Sequence, residues 1–148
     1  MEKGYDRRRF IKNTAIIGAG LGVAGGITPL FATGRAAAGR RIGIIGLDTS
    51  HSVAFAKDLN GQNTSAAYDG YRVVAAYPQG SLDIESSVKR IPGYTEDVKK
   101  LGVEIVDSIE DLLTKCDVVM LETNDGRRHL EQAIPVLKAG KMLFVDKP

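Results

Sequence analysis

Arg41-Ile42-Gly43-Ile44-Ile45-Gly46 passes directly into Leu47-Asp48-Thr49-Ser50-His51, and this junction decides the fold. The first half is a short β-branched run closed by glycine, the pattern of a strand buried on both faces of a parallel sheet. The second half is polar, and Thr49 or Ser50 stands where a cap would open a helix over residues 50–59. Strand, tight turn and helix in that order begin a βαβ unit, and the rest of the chain repeats the alternation. After a turn-rich loop over 61–70, residues 71–77 (YRVVAAY) predict a second strand, closed by Pro78-Gln79-Gly80. Residues 81–102 predict two short helices split at Pro92-Gly93, and 103–106 a third strand. Ser108, with Asp111 three residues on, comes close to a capping box and opens the next helix. Residues 117–121 (DVVML) predict a fourth strand and 142–145 a fifth. Between them Leu130, Ala133, Ile134 and Leu137 fall at helical spacing, with Gly140 ending the helix. Such alternation implies right-handed parallel crossovers, hence an α/β fold with a doubly wound, Rossmann-like parallel sheet.

The chain has 148 residues, room for one such domain. It carries 20 Lys and Arg against 18 Asp and Glu, but residues 1–38 hold six of those bases and only two of the acids. The remaining 14 bases and 16 acids make a mildly acidic body, a poor match for nucleic acid. Cys116 is the single cysteine, so no internal disulfide forms, and its place before a hydrophobic strand suits a small buried thiol. At the other end, Asp6-Arg7-Arg8-Arg9-Phe10-Ile11-Lys12 resembles the twin-arginine export motif. From Asn13 to Gly34 there is no charge, and six of these 22 residues are glycine. That stretch is long enough to span a bilayer, yet its moderate hydrophobicity suits a leader better than an anchor. Ala36-Ala37-Ala38 supplies a small-residue cleavage pattern. The expectation is a signal peptide over 1–38 and a nucleotide-binding domain over 39–148. It carries with it a periplasmic or otherwise exported location, with the translocation machinery and the membrane met only during export.

Residues 116–148 (CDVVMLETNDGRRHLEQAIPVLKAGKMLFVDKP) resemble the Gfo/Idh/MocA family of sugar and polyol oxidoreductases. His129, Glu131-Gln132-Ala133, Lys138-Ala139-Gly140-Lys141 and Asp146-Lys147-Pro148 fall at the family's positions, the last triplet being its Glu-Lys-Pro with Asp for Glu. The resemblance implies NAD or NADP as cofactor and hydride transfer on a sugar-like small molecule. It also implies a catalytic Lys147 near nicotinamide and substrate, where an ammonium lowers a hydroxyl pKa or stabilises an alkoxide. Pro148 would follow a cis bond that fixes the lysine's direction. His129, Thr123, Asn124, Gln79 and Asp146 would lie around the cofactor. A second α/β domain, absent from this chain, would supply the rest of the site, so these residues alone would catalyse nothing. The full-length protein would be a homo-oligomer.

The phosphate loop departs from the pattern. A G-x-G-x-x-G turn gives a tight bend, close backbone approach to pyrophosphate and helix packing. Gly46-Leu47-Asp48-Thr49-Ser50-His51 keeps only its first glycine. Asp48 stands where the backbone should meet diphosphate and repels it unless turned away, and His51 replaces the packing glycine. The helix N-terminus still offers N–H groups, with the Thr49, Ser50 and Ser52 hydroxyls as further donors. No acid follows strand two at the position that meets the ribose, Asp83 being the nearest, which loosens the preference for NAD over NADP without establishing either. After strand four, Asn124-Asp125-Gly126 replaces the family's Thr-Pro-Asn. Asp48 with His51 would alternatively be two members of a divalent-metal or polar substrate site, a weak metal signal because ligand sets need three or four residues. A non-catalytic exported ligand-binding module with a degenerate phosphate loop is the alternative reading.

Overall fold

The computed structural model describes residues 40–62 and 66–146, and the leader, its cleavage site, Lys147 and Pro148 lie outside the described residues. In chain order the elements are β1 (Arg41–Ile45), α1 (Ser50–Asn60), a 3-10 turn (Ala66–Tyr68), β2 (Arg72–Tyr77), α2 (Glu85–Lys99), β3 (Glu104–Ile105), α3 (Ile109–Lys115), β4 (Val118–Leu121), α4 (Gly126–Lys138) and β5 (Met142–Val145). The five strands pair in the order β3-β2-β1-β4-β5, and every pairing is parallel. From β1 the chain builds outward through β2 and β3, then returns to place β4 on β1's other side. The topological switch therefore falls between β1 and β4, where open α/β sheets form their ligand crevice.

Alternation along the strands fills two cores, one on each face of the sheet. Ile42 and Ile44 of β1 join Val53, Ala56, Val73, Val98 and Met120 under α1 and α2. Ile45 joins Ala75, Leu112, Cys116, Val119, Leu121 and Val136 under α3 and α4. Cys116 is a buried free thiol, as its position suggested. Ser108 caps α3, its hydroxyl accepting from the Asp111 amide at 3.0 Å, and Gly140 follows α4 with φ 65°.

Three expectations need correction. Residues 81–102 hold one 15-residue helix, with Pro92 inside it. An interior proline costs about 3 kcal/mol in an isolated helix. Here Ser87 and Val98 are buried on either side of it, and Tyr94 packs against the core, so tertiary contact holds both halves in line. The third strand shrinks to Glu104–Ile105, although the flanking Val103 and Val106 are buried. Helix α4 begins four residues earlier than its apolar spacing indicated, because Asp125 caps it by accepting from the Arg127 amide. Its inward face carries Gln132 and Val136. Of the apolar stripe read from the sequence, Ala133 packs against the core, whereas Leu130 is 72% and Leu137 60% exposed, so the stripe's large side chains face away from the sheet. Among the described residues no helix is long and apolar enough to cross a membrane.

Candidate functional site

The loops after β1, β2 and β4 converge at the carboxyl edge of the sheet. Gly46 starts the first of them with φ 89°. Its amide donates to the Tyr77 carbonyl at 2.9 Å, and that of Leu47 donates to Pro78 at 3.0 Å. A side chain at Gly46 would begin 2.7 Å from both the Thr123 amide nitrogen and Cα. The first glycine of the loop thus survives because β1 and β4 end in backbone contact.

Asp48 is fully buried and turned away from the crevice. Its carboxylate accepts from the Ser81 amide at 3.0 Å and from the Asn124 amide at 3.1 Å. One side chain thereby ties the loop after β1 to those after β2 and β4. Gly80 must be bare for this, since a Cβ there would lie 2.2 Å from Asp48 Oδ2. Ser52, expected as a phosphate donor, is instead buried and donates to the Thr49 carbonyl at 2.8 Å.

Thr49 occupies the α1 N-cap position but makes no side-chain cap bond, and the first turn holds no acid. The Thr49 and Thr123 hydroxyls are buried without hydrogen-bond partners. A helix N-terminus with open N–H groups and unpartnered hydroxyls beside it fits a phosphate. The residues present therefore fit the diphosphate of a dinucleotide at the helix end. The second-glycine backbone contact is replaced by the inward Asp48. Ser50 is exposed at the start of this turn, and Gln79 sits on the β2 loop, its carbonyl accepting from Gln132 Nε2 at 3.2 Å. His129 turns back from α4 to the Thr123 carbonyl at 2.6 Å, which steadies the loop after β4.

His51 does not join Asp48. Its Nδ1 pairs with Asp146, which follows β5, and both lie beside Glu122 at the end of β4. Glu122 was not singled out from the sequence. The signal was a lone acid closing an otherwise apolar strand. Burial, reinforced by the Asp146 charge and opposed by His51, pushes its carboxyl up to about 7.

On the β2 side, Arg127 binds Asp125 through Nε at 2.8 Å and Asp83 through a terminal nitrogen at 2.5 Å. Asp83 is thus committed to an ion pair that the sequence did not reveal. These residues, with Leu82, Arg128 and Glu131, line an open depression of about 350 Å³. A second, of about 250 Å³, lies between the end of β2 and the α3 cap, lined by Tyr77, Ser108 and Gln132 among others.

These ion pairs fix an acid limit to stability. Hydrogen bonds from the Arg41 side chain hold Asp117 down to about 2 from an ordinary 3.8, and Arg127 does the same to Asp125. A depressed folded-state pKa contributes stability above the unfolded value and loses it as pH falls through the folded one. The melting temperature is therefore expected to drop between pH 4 and about 2. The double variant Asp117→Asn, Asp125→Asn should show a flatter profile in that window, and an unchanged profile would exclude these carboxylates as the cause.

A doubly wound parallel sheet, switched at an open helix N-terminus, defines a nucleotide-binding α/β domain. The chain belongs to the Gfo/Idh/MocA oxidoreductase family, NAD-binding Rossmann fold, whose profile matches residues 40–148. Among solved structures, it resembles UDP-N-acetylglucosamine 3-dehydrogenase GnnA from Acidithiobacillus ferrooxidans at 18% identity and a TM-score of 0.52, over 74% of this chain and 28% of that one. It also resembles the dehydrogenase MviM from Clostridium difficile at 25% identity and a TM-score of 0.51, over 74% of this chain and 30% of that one. The chain therefore spans less than a third of either protein. A search of curated protein sequences finds no significant match.

Proposed function

We propose that this chain is the nucleotide-binding part of an NAD(P)-dependent oxidoreductase acting on a sugar, polyol or related hydroxylated compound. The carrying observation is the uncapped α1 N-terminus at the β1/β4 switch, with the unpartnered Thr49 hydroxyl beside it. In this reading the α1 amides and Thr49 hold diphosphate, while Asp48 fixes the three loops around it without facing the charge. His129 orients the loop after β4 through Thr123. A bound nicotinamide supplies a hydride acceptor or donor. Lys147 supplies the ammonium that assists the substrate hydroxyl. The apolar side chains of Met142 and Phe144, on one face of the edge strand β5, and of Val145 on the other stand exposed, the kind of apolar edge a further domain covers. The chain alone is then inactive, and the whole protein is a homo-oligomer. The leader directs it through twin-arginine export to the periplasm, with cleavage after Ala38.

A non-catalytic binding module is favoured by one feature, the Asp48 carboxylate in place of the second glycine. Calorimetric titration of the full chain with NAD and NADP separates the two. Micromolar binding of either, weakened roughly two- to tenfold by Thr49→Val as for one lost hydrogen bond, supports the oxidoreductase reading. Absence of binding at millimolar nucleotide supports the module.

A further inference from the structure

His51, Glu122 and Asp146 come from three different junctions and meet at one point. His51 lies in the first turn of α1, Glu122 directly follows β4, and Asp146 directly follows β5. One potential ligand atom from each lies within 4.8 Å of the other two. Glu122 is 1% exposed, and neither carboxylate oxygen has a hydrogen-bond partner. A carboxylate left bare at that depth is costly, and such groups are normally paired, protonated or bound to metal. No cationic side chain of the described residues reaches it with a hydrogen bond. A proton would satisfy one oxygen of one acid. A divalent cation would meet the bare Glu122 carboxylate and take the already paired His51 and Asp146 beside it as its other ligands.

We infer that His51, Glu122 and Asp146 hold one divalent transition-metal ion of the zinc class, with at least one coordination position left for an oxygen donor. One imidazole and two carboxylates suit zinc, cobalt or manganese better than a soft, thiolate-preferring ion. Around an ion bound at about 2.1 Å, tetrahedral ligand atoms lie roughly 3.4 Å apart, so Glu122 must close in on the other two while the directly paired His51 and Asp146 open to admit the ion. The His51 side chain is 45% exposed and that of Asp146 17%, which leaves room for this and a path from solvent. The imidazole is already steered. It packs edge-on against Phe55, which packs edge-on against Phe144, and such support around a ligand improves metal affinity. Three protein ligands with an open position are the arrangement of a reactive rather than a purely structural zinc site. This site does not depend on nucleotide binding.

The test is titration of the untagged, chelator-treated full chain with Co²⁺, followed by visible absorption, and with Zn²⁺, followed by calorimetry. One equivalent of each is expected at micromolar or tighter affinity, Zn²⁺ displacing Co²⁺. His51→Ala and Glu122→Gln should each weaken binding by at least about tenfold. Glu122→Gln is nearly isosteric and His51 is half exposed, and a circular-dichroism melt of each variant verifies that it folds. Failure to bind one equivalent, or undiminished affinity in both variants, overturns the assignment. So does a thiolate charge-transfer band lost in Cys116→Ser, which would move the ion to Cys116.

Discussion

Asp48→Ala is expected to destabilise the domain by about 2–6 kcal/mol, since one buried and one part-buried amide lose their acceptor at about 1–3 kcal/mol each. The amides are those of Ser81 and Asn124, and the residue lost is wholly buried. For a domain of this size the drop in melting temperature is roughly 10 °C or more. The opposite expectation follows from reading Asp48 as a charge placed against diphosphate. Removing it would then leave stability within about 0.5 kcal/mol, the usual range for a surface position, while tightening nucleotide binding. Melting and nucleotide titration of the same variant therefore decide between a loop tie and an electrostatic block. The paired glycine gives a second handle. Gly80→Ala forces a Cβ to 2.2 Å from Asp48 Oδ2, so it should lose stability in the wild-type background. In the Asp48→Ala background, where the obstructing oxygens are gone, the same change should cost much less. This coupling is a double-mutant interaction between touching residues.

The same geometry explains why the phosphate loop could be read as defective from the sequence. A loop motif records which positions must be glycine for a nucleotide to approach, but not which side chains the protein itself packs there. Asp48 occupies the second glycine position and finds its partners 33 and 76 residues away, a distance that no local pattern reports. The opposite holds for the strands. Ile42, Ile44 and Ile45 are buried on the two faces of one strand, and such a β-branched run carries its own environment in its composition. Parallel pairing follows from the alternation with helices, so all five strands were legible, though β3 is shorter than its apolar run suggested and the strand order comes from the structure.

Helix α4 marks the boundary between what is local and what is not. Leu130, Ile134 and Leu137 satisfy the helical period, yet all three are exposed. Gln132 is 1% exposed and reaches the Gln79 carbonyl, so a polar residue faces the sheet because a loop end waits for it. Pro92 errs in the other direction. A local breaker sits within an unbroken helix because burial on both sides outweighs it. The cluster of His51, Glu122 and Asp146 was invisible for a third reason. Its members are 71 and 24 residues apart in sequence, and only the parallel sheet brings the ends of β4 and β5 beside the first turn of α1.

Gly46→Ala is the second large effect, and its size divides into two measurable parts. The residue sits at φ 89°, where a side chain costs about 1–3 kcal/mol of backbone strain. Its Cβ would also stand 2.5 Å from Thr123 Oγ1 and 2.7 Å from the Thr123 amide nitrogen and Cα. A hydroxyl can rotate away, but backbone cannot, so β1 and β4 must part at their carboxyl ends at a further cost of about 1–3 kcal/mol. Gly102 provides the control. It has φ 80°, and nothing lies within 4 Å of a Cβ built there. Gly102→Ala therefore carries the conformational part alone. Chemical denaturation of the two variants should place Gly46→Ala at least about 1 kcal/mol below Gly102→Ala, the margin that the backbone clash adds. Equal losses would mean that the strand ends yield freely, and the crevice would then lack the rigid floor on which both the nucleotide and the metal readings depend. A clear margin would identify Gly46 as the residue that allows β1 and β4 to close on each other, carrying Thr123 and Glu122 to the edge of the crevice.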